Sequence, residues 1–171
     1  MALQPEIEKA LNDQITAEFA SSYAYLGMAA FLEAESLPGM AQWMRTQSQE
    51  EWTHGMKIYQ FVLDRDGRVA LGELGAAATE YESPLAVFEA AAAHERKITG
   101  LINDLYAKAT EARDFASLPL LDWFVAEQVE EEAAVNQIVD DLRRAGGEGH
   151  TILMLDREMA ARTTVPAEPG A

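Results

Sequence analysis

Glu18 stands thirty-three residues before Glu51, which opens a Glu51-x-x-His54 motif, and Glu95 stands thirty-three before Gln128, which opens Gln128-x-x-Glu131. Carboxylates, an imidazole and a side-chain amide are ligand types for divalent cations. Residues three apart on a helix share a face, so each motif offers two donors in one direction. The repeated interval predicts two related helical hairpins, each presenting donors from two helices. The chemistry implied is a dinuclear metal site inside a four-helix bundle.

The rest of the chain supplies helices to hold such a site. Ala, Glu, Leu and Gln dominate and no stretch alternates with period two, so the fold class is all-α. The first helix is expected from about Pro5, a favourable first-turn proline, to about Glu35. After the turn at 36–39 a second helix runs to about Asp66, before Gly67. A Gly- and Ala-rich connection covers 67–83, and Ser83-Pro84 reads as an N-cap followed by a proline at the first helical position. The third helix reaches about Arg113, and a break at Asp114 to Pro119 precedes a fourth that ends at Gly146-Gly147. A shorter fifth helix fits Thr151 to Arg162. Residues 1–162 are expected to form one domain and 163–171, rich in Pro and Ala, a loose tail. Short first and third turns make antiparallel neighbours, and the long second connection spans the bundle.

The core-facing stripes, taken in steps of three and four, place the candidate ligands inside. They read Leu11, Ile15, Glu18, Ser22, Tyr25, Ala29, Leu32; then Met40, Met44, Gln47, Glu51, His54, Ile58, Phe61. The third and fourth helices give Phe88, Ala91, Glu95, Ile98, Ile102, Leu105 and Leu121, Val125, Gln128, Glu131, Val135, Ile138, Leu142. No Lys or Arg lies on these stripes. A buried charge left without its partner costs roughly 3–5 kcal/mol. Four carboxylates, Glu18, Glu51, Glu95 and Glu131, would be in that position, and two divalent cations cancel their charge. Oxygen-rich ligation with one imidazole suits iron or manganese better than zinc. Glu51 is best placed to bridge: Glu18, Glu51 and His54 would hold one ion, and Glu51, Glu95 and Gln128 the other. Glu131 either assists or lies just outside.

Composition agrees with a cation as the partner. Among 171 residues, 29 acids against 13 bases give a formal charge of −16, which repels nucleic acid and anionic membranes. The absence of cysteine removes disulfides, Cys-ligated zinc and iron–sulfur clusters. The opening residues lack the regions of a signal peptide and no run reaches transmembrane length, so the expectation is a soluble cytoplasmic protein.

Other residues admit plainer readings. Tyr25 is either an ordinary core tyrosine or a functional one, as a hydrogen-bond partner of a ligand or as an electron donor. Glu50, Glu127 and Glu130 neighbour the ligands, and either form an accessory iron position or a solvated acidic face. His94 and His150 are expected at the surface, and Trp43, Trp52 and Trp123 are expected to pack.

The segments Gln14 to Glu18 and on to Tyr25, Gln49 to His54, His94-Glu95 and Trp123 to Glu131 resemble those of bacterial non-haem ferritins, over about residues 3 to 162. The resemblance implies a ferritin-like four-helix bundle with a long crossover and a short fifth helix. It implies a di-iron ferroxidase centre of Glu18, Glu51, His54, Glu95 and Gln128, and a third iron site of Glu50, Glu127, Glu130 and Glu131. It further implies oxidation of Fe(II) by dioxygen or hydrogen peroxide, and storage of ferric mineral in a hollow homo-oligomeric cage of twenty-four subunits. Haem is not expected: where related haem-binding proteins carry a methionine after the bridging glutamate, this chain has Trp52. Animal ferritins line their three-fold channels with carboxylates where this chain has Leu118 and Leu121, with Asp122 one step round the helix. Iron is therefore expected to come in by another route.

Overall fold

A computed structural model describes residues 2–162, so the expected tail at 163–171 lies outside the described residues. Five helices follow in order: α1 Pro5–Ala34, α2 Pro38–Asp64, α3 Pro84–Glu111, α4 Leu118–Ala145 and α5 Gly149–Arg162. No strand occurs among the described residues, and no described helix is long and apolar enough to cross a membrane. Helices α1 and α2 pack as one antiparallel pair, α3 and α4 as another, and α1 meets α3 across the bundle.

Local chemistry explains the boundaries. Pro5, Pro38 and Pro84 each stand in a first turn, where a missing N–H costs nothing. The Ser83 hydroxyl accepts from the Ala86 N–H at 3.1 Å, a side-chain cap of the expected kind. Gly146 ends α4 with φ of 59°, a left-handed conformation that glycine adopts without Cβ strain. The crossover carries no helix but is tied down along α1. Asn12 accepts from the Ala70 N–H at 2.7 Å and donates to the Arg68 carbonyl at 2.9 Å, while Thr16 accepts from the Gly72 N–H at 3.0 Å.

Two apolar clusters fill the bundle. One, built around Ile7, Leu11, Ile15, Ile58, Ile98, Leu105 and Phe124, holds the end near the α1 start. The other, around Leu32, Met40, Met44, Phe88, Val135 and Leu142, holds the opposite end. Between them lies one polar layer: Glu18, Ser22, Gln47, Ser48, Glu51, His54, Glu95 and Gln128 are all buried. The stripes of α1 and α3 are buried throughout, as the periodicity predicts. Glu131 and Ile138 of the α4 stripe are only half-buried, and two further positions depart. Val125 is exposed, and Phe124 takes its place in the core because the buried row of α4 steps back four residues from Gln128, not three. Phe61 is half-buried, with Val62 inside instead.

Two contacts lock the ends. Arg65, just past α2, pairs with Asp114 in the α3–α4 turn at 2.7 Å, and both are buried. The Ser117 hydroxyl also donates to Asp114 at 2.6 Å. Arg65→Ala strands the buried carboxylate, and should lower stability by about 3 kcal/mol, read as a lower thermal midpoint. The second lock is α5 on the start of α2. Leu37 gives α2 no side-chain cap, and the buried Asp156 carboxylate accepts from the Met40 N–H at 2.8 Å instead. A Cβ on Gly39 would sit 1.9 Å from the Asp156 carbonyl oxygen, so only glycine lets the two backbones meet. Gly39→Ala should therefore detach α5, seen as loss of hydrogen-exchange protection in α5 while α1 to α4 stay protected.

Candidate metal centre

Helical spacing carries the donors to a common level. Glu18 comes from α1, Glu51 and His54 from one face of α2, Glu95 from α3 and Gln128 from α4. Ligand atoms of Glu18, Glu51 and His54 lie within 4.8 Å of one another, and all three side chains are buried. A second group of the same compactness joins His54 to Glu127 and Glu131, which are half-buried. The imidazole thus stands at the meeting point of both. Glu50 and Glu130, expected beside them, are exposed.

Each carboxylate is held differently. Gln14, one helical turn before Glu18, donates to its Oε1 at 2.8 Å. The Tyr25 hydroxyl donates to Glu95 Oε1, and Gln128 Nε2 donates to Glu95 Oε2 at 3.2 Å. Tyr25 is therefore a hydrogen-bond partner of a candidate ligand, the second of its two sequence readings. Gln47 Nε2 donates to Glu131 at 2.7 Å.

Glu51 is the exception. Both of its carboxylate oxygens, and Oε2 of Glu18, are buried without a hydrogen-bond partner. No ion pair with a lysine or arginine among the described residues reaches Glu18, Glu51, Glu95 or Glu131. Buried polar atoms are nearly always satisfied, so orphans concentrated in one layer point to a missing cationic partner. Without one, these acids favour protonation. Burial raises Glu51 well above the usual carboxylate range, helped by the charges of Glu18 and Glu95. Burial likewise raises Glu18 and Glu95, against the bonds they receive. Glu131 is pushed up to about 8 by burial and then by Glu95, Glu50 and Glu127. Burial, and next the charge of Lys57, lowers His54 to about 4, which leaves its imidazole neutral near pH 7 with a lone pair free to coordinate.

The aromatic neighbours shape the surroundings. Trp123 stands edge-on to His54 with ring centroids 5.3 Å apart, and Lys57 Nζ lies 4.0 Å above the Trp123 ring. Trp52 is largely exposed and stacks on Phe19 at 4.5 Å. His150 is exposed as expected, but His94 is not a plain surface residue. It is half-buried, its Nε2 lies 2.6 Å from the Ser21 hydroxyl, and its ring meets Tyr25 edge-on. The turn of α3 that buries Glu95 draws its neighbour partly inside. Sequence reasoning gave no role to Gln14 or Thr99. Gln14 was findable from its four-residue spacing to Glu18, whereas Thr99, which accepts from Gln128 at 3.2 Å, carries no local signal.

Four helices around a buried layer of carboxylates, one imidazole and two amides, with α5 packed against α2, form a bundle whose carboxylate-rich layer could hold metal ions. The ferritin-like domain family matches residues 8–145. The chain is 37% identical over 161 residues to a bacterial non-heme ferritin of Staphylococcus saprophyticus, covering 94% of this chain and 96% of that one. It is 37% identical over 160 residues to one of Bacteroides fragilis, covering 94% and 99%. An open-pore ferritin of the archaeon Archaeoglobus fulgidus superposes with a TM-score of 0.92 at 43% identity, covering 93% of this chain and 98% of that one. The chain belongs to the ferritin family.

Proposed function

We propose that this chain is an iron-storage protein that oxidises Fe(II) at the buried layer before storing it. Iron is here both reactant and cargo. Glu18, Glu51 and His54 would hold one Fe(II), and Glu51, Glu95 and Gln128 the other, with Glu51 between them. Glu131 and Glu127, joined to His54, would take iron on its way in or out, with Glu50 and Glu130 at the exposed edge as further acidic contacts. The observation that carries this reading is the pair of orphaned Glu51 oxygens beside that of Glu18. Two free oxygens on one carboxylate are what a bridge between two cations requires.

The chain's own groups then divide the labour. Carboxylates lose their protons as iron displaces them, neutral His54 donates its lone pair, and Tyr25 keeps Glu95 oriented. Each Fe(II) gives one electron to the oxidant. Dioxygen and two protons yield hydrogen peroxide, while hydrogen peroxide and two protons yield two waters. Fe(III), a harder and more readily hydrolysed ion, leaves as mineral.

Membership of the ferritin family supports a homo-oligomer. A hollow twenty-four-subunit cage and a cytoplasmic location complete the reading. The test is to load purified protein with Fe(II) in air and measure iron retained on the size-separated particle. Retention far above the roughly three ions per chain that protein ligands can hold, on a very large particle, supports storage. Retention at that ceiling on a small oligomer removes the storage function and leaves a dimetal redox enzyme.

A further inference from the structure

The flank between α3 and α4 carries a cleft of about 360 Å³. Ile102 and Gln128, 2% and 3% exposed, form its floor, while Val125 and Val129 stand exposed at its rim. Half-buried Thr99 and Glu132 close one wall. Gln128 is thus shared: the side chain that floors an outside cleft is the one whose amide bonds Glu95 in the polar layer.

The chemistry of the walls selects what can use this opening. Its one lining carboxylate, Glu132, already accepts from the Thr99 hydroxyl at 2.5 Å, and Thr99 accepts from Gln128 at 3.2 Å. A hydrated cation would shed water beside Ile102, Val125 and Val129 with only the uncharged Thr99, Asn103 and Gln128 and the already bonded Glu132 to replace it, which is costly. A small uncharged molecule meets no such barrier. Helical rotation sets Val125, Val129 and Glu132 on one side of Gln128 and Glu127 and Glu131 on the other. The two flanks of α4 are therefore unlike, one apolar and one acidic. A larger opening of about 540 Å³ lies between α1 and α3, lined by Lys9, Asp13 and Lys108, and includes no residue of the polar layer.

We propose that the α3–α4 cleft is the passage by which dioxygen reaches the Gln128 side of the centre, while Fe(II) comes across the acidic α2–α4 edge. The inference rests on the oxidation reading above. The cleft makes and breaks no bond; it delivers the molecule that accepts the two electrons from two Fe(II). Val125→Trp, at an exposed rim position, should raise the apparent KM for dioxygen at least about fivefold and leave the Fe(II) dependence and particle size unchanged. Xenon under pressure should occupy the cleft in wild-type crystals, a readout that needs no variant. An unchanged dioxygen dependence, an empty cleft under xenon, a shift in the Fe(II) dependence instead, or an altered particle size would each overturn the proposal. Anaerobic Co(II) titration separates the two layers of inference. If wild type and variant bind Co(II) alike at the polar layer while dioxygen dependence is unmoved, only the cleft fails; if wild type binds none, the oxidation reading fails beneath it.

Discussion

Glu51→Ala brings rapid Fe(II) oxidation down at least ~100-fold, because loss of a ligand shared by both metals exceeds the 10- to 100-fold cost of losing an outer partner. The reason lies in the orphaned oxygens. Glu18 accepts from Gln14, and Glu95 accepts from both Tyr25 and Gln128, so each already has part of its bonding capacity met by a neighbour. Glu51 has none, and it is the one carboxylate electrostatically linked to Glu18, Glu95 and Glu131 together. Stopped-flow oxidation with excess dioxygen reads the effect. A variant that oxidises paired Fe(II) at the wild-type rate removes Glu51 from the bridging position. The same variant should be more stable than wild type without metal, since a charge that burial penalises has gone.

The second large effect is the pH dependence of the metal-free protein. Glu18, Glu51, Glu95 and Glu131 all have folded-state pKa values raised, first of all by burial. A raised acid means that the folded state binds more protons than the unfolded state, so stability falls as pH rises. The fall begins near the ordinary Glu value of about 4.3 and continues to about pH 8, where Glu131 titrates. Asp114 acts in the opposite sense. Burial alone would raise it, but the bonds from Arg65 and Ser117 outweigh burial and hold it below the usual range. Its contribution is present above about pH 3.9 and is lost as pH falls through its lower folded value. Thermal midpoints of metal-free protein should therefore peak near pH 4 and decline towards pH 8. Saturating Co(II) or Zn(II) should flatten the alkaline decline, because the cations replace the protons. A midpoint that climbs from pH 5 to 8 without metal would mean the four acids are not buried together.

Much of this was readable from residues alone, and what was not has a common cause. Helix lengths, the Ser83 cap and the buried rows of α1 and α3 follow from period and capping, which are local. The polar layer followed too, because acidic or amide interruptions of all four apolar stripes at matching depth leave few explanations. Val125 failed because a stripe can step by three or four, and only packing against α3 chooses. His94 failed because a residue beside a buried one is drawn in by the helix it shares. Tyr25 stayed ambiguous until Glu95 was seen within reach of its hydroxyl, seventy residues away in sequence. The α3–α4 cleft had no signature, since its seven lining side chains become neighbours only when two helices are laid together.

The Asp156 cap bears on how the chain is made. Helix α2 begins at residue 38, yet the group that satisfies its Met40 N–H lies 116 positions further on. During synthesis the first hairpin leaves the ribosome long before that carboxylate exists, so the start of α2 stays frayed until almost the whole chain has been released. Completion of the bundle is thereby coupled to arrival of its last helix. A stalled or shortened chain ending before Gly149 would expose an unfinished helix end beside the Gly39 notch, a mark by which quality control can tell a partial product from a finished subunit.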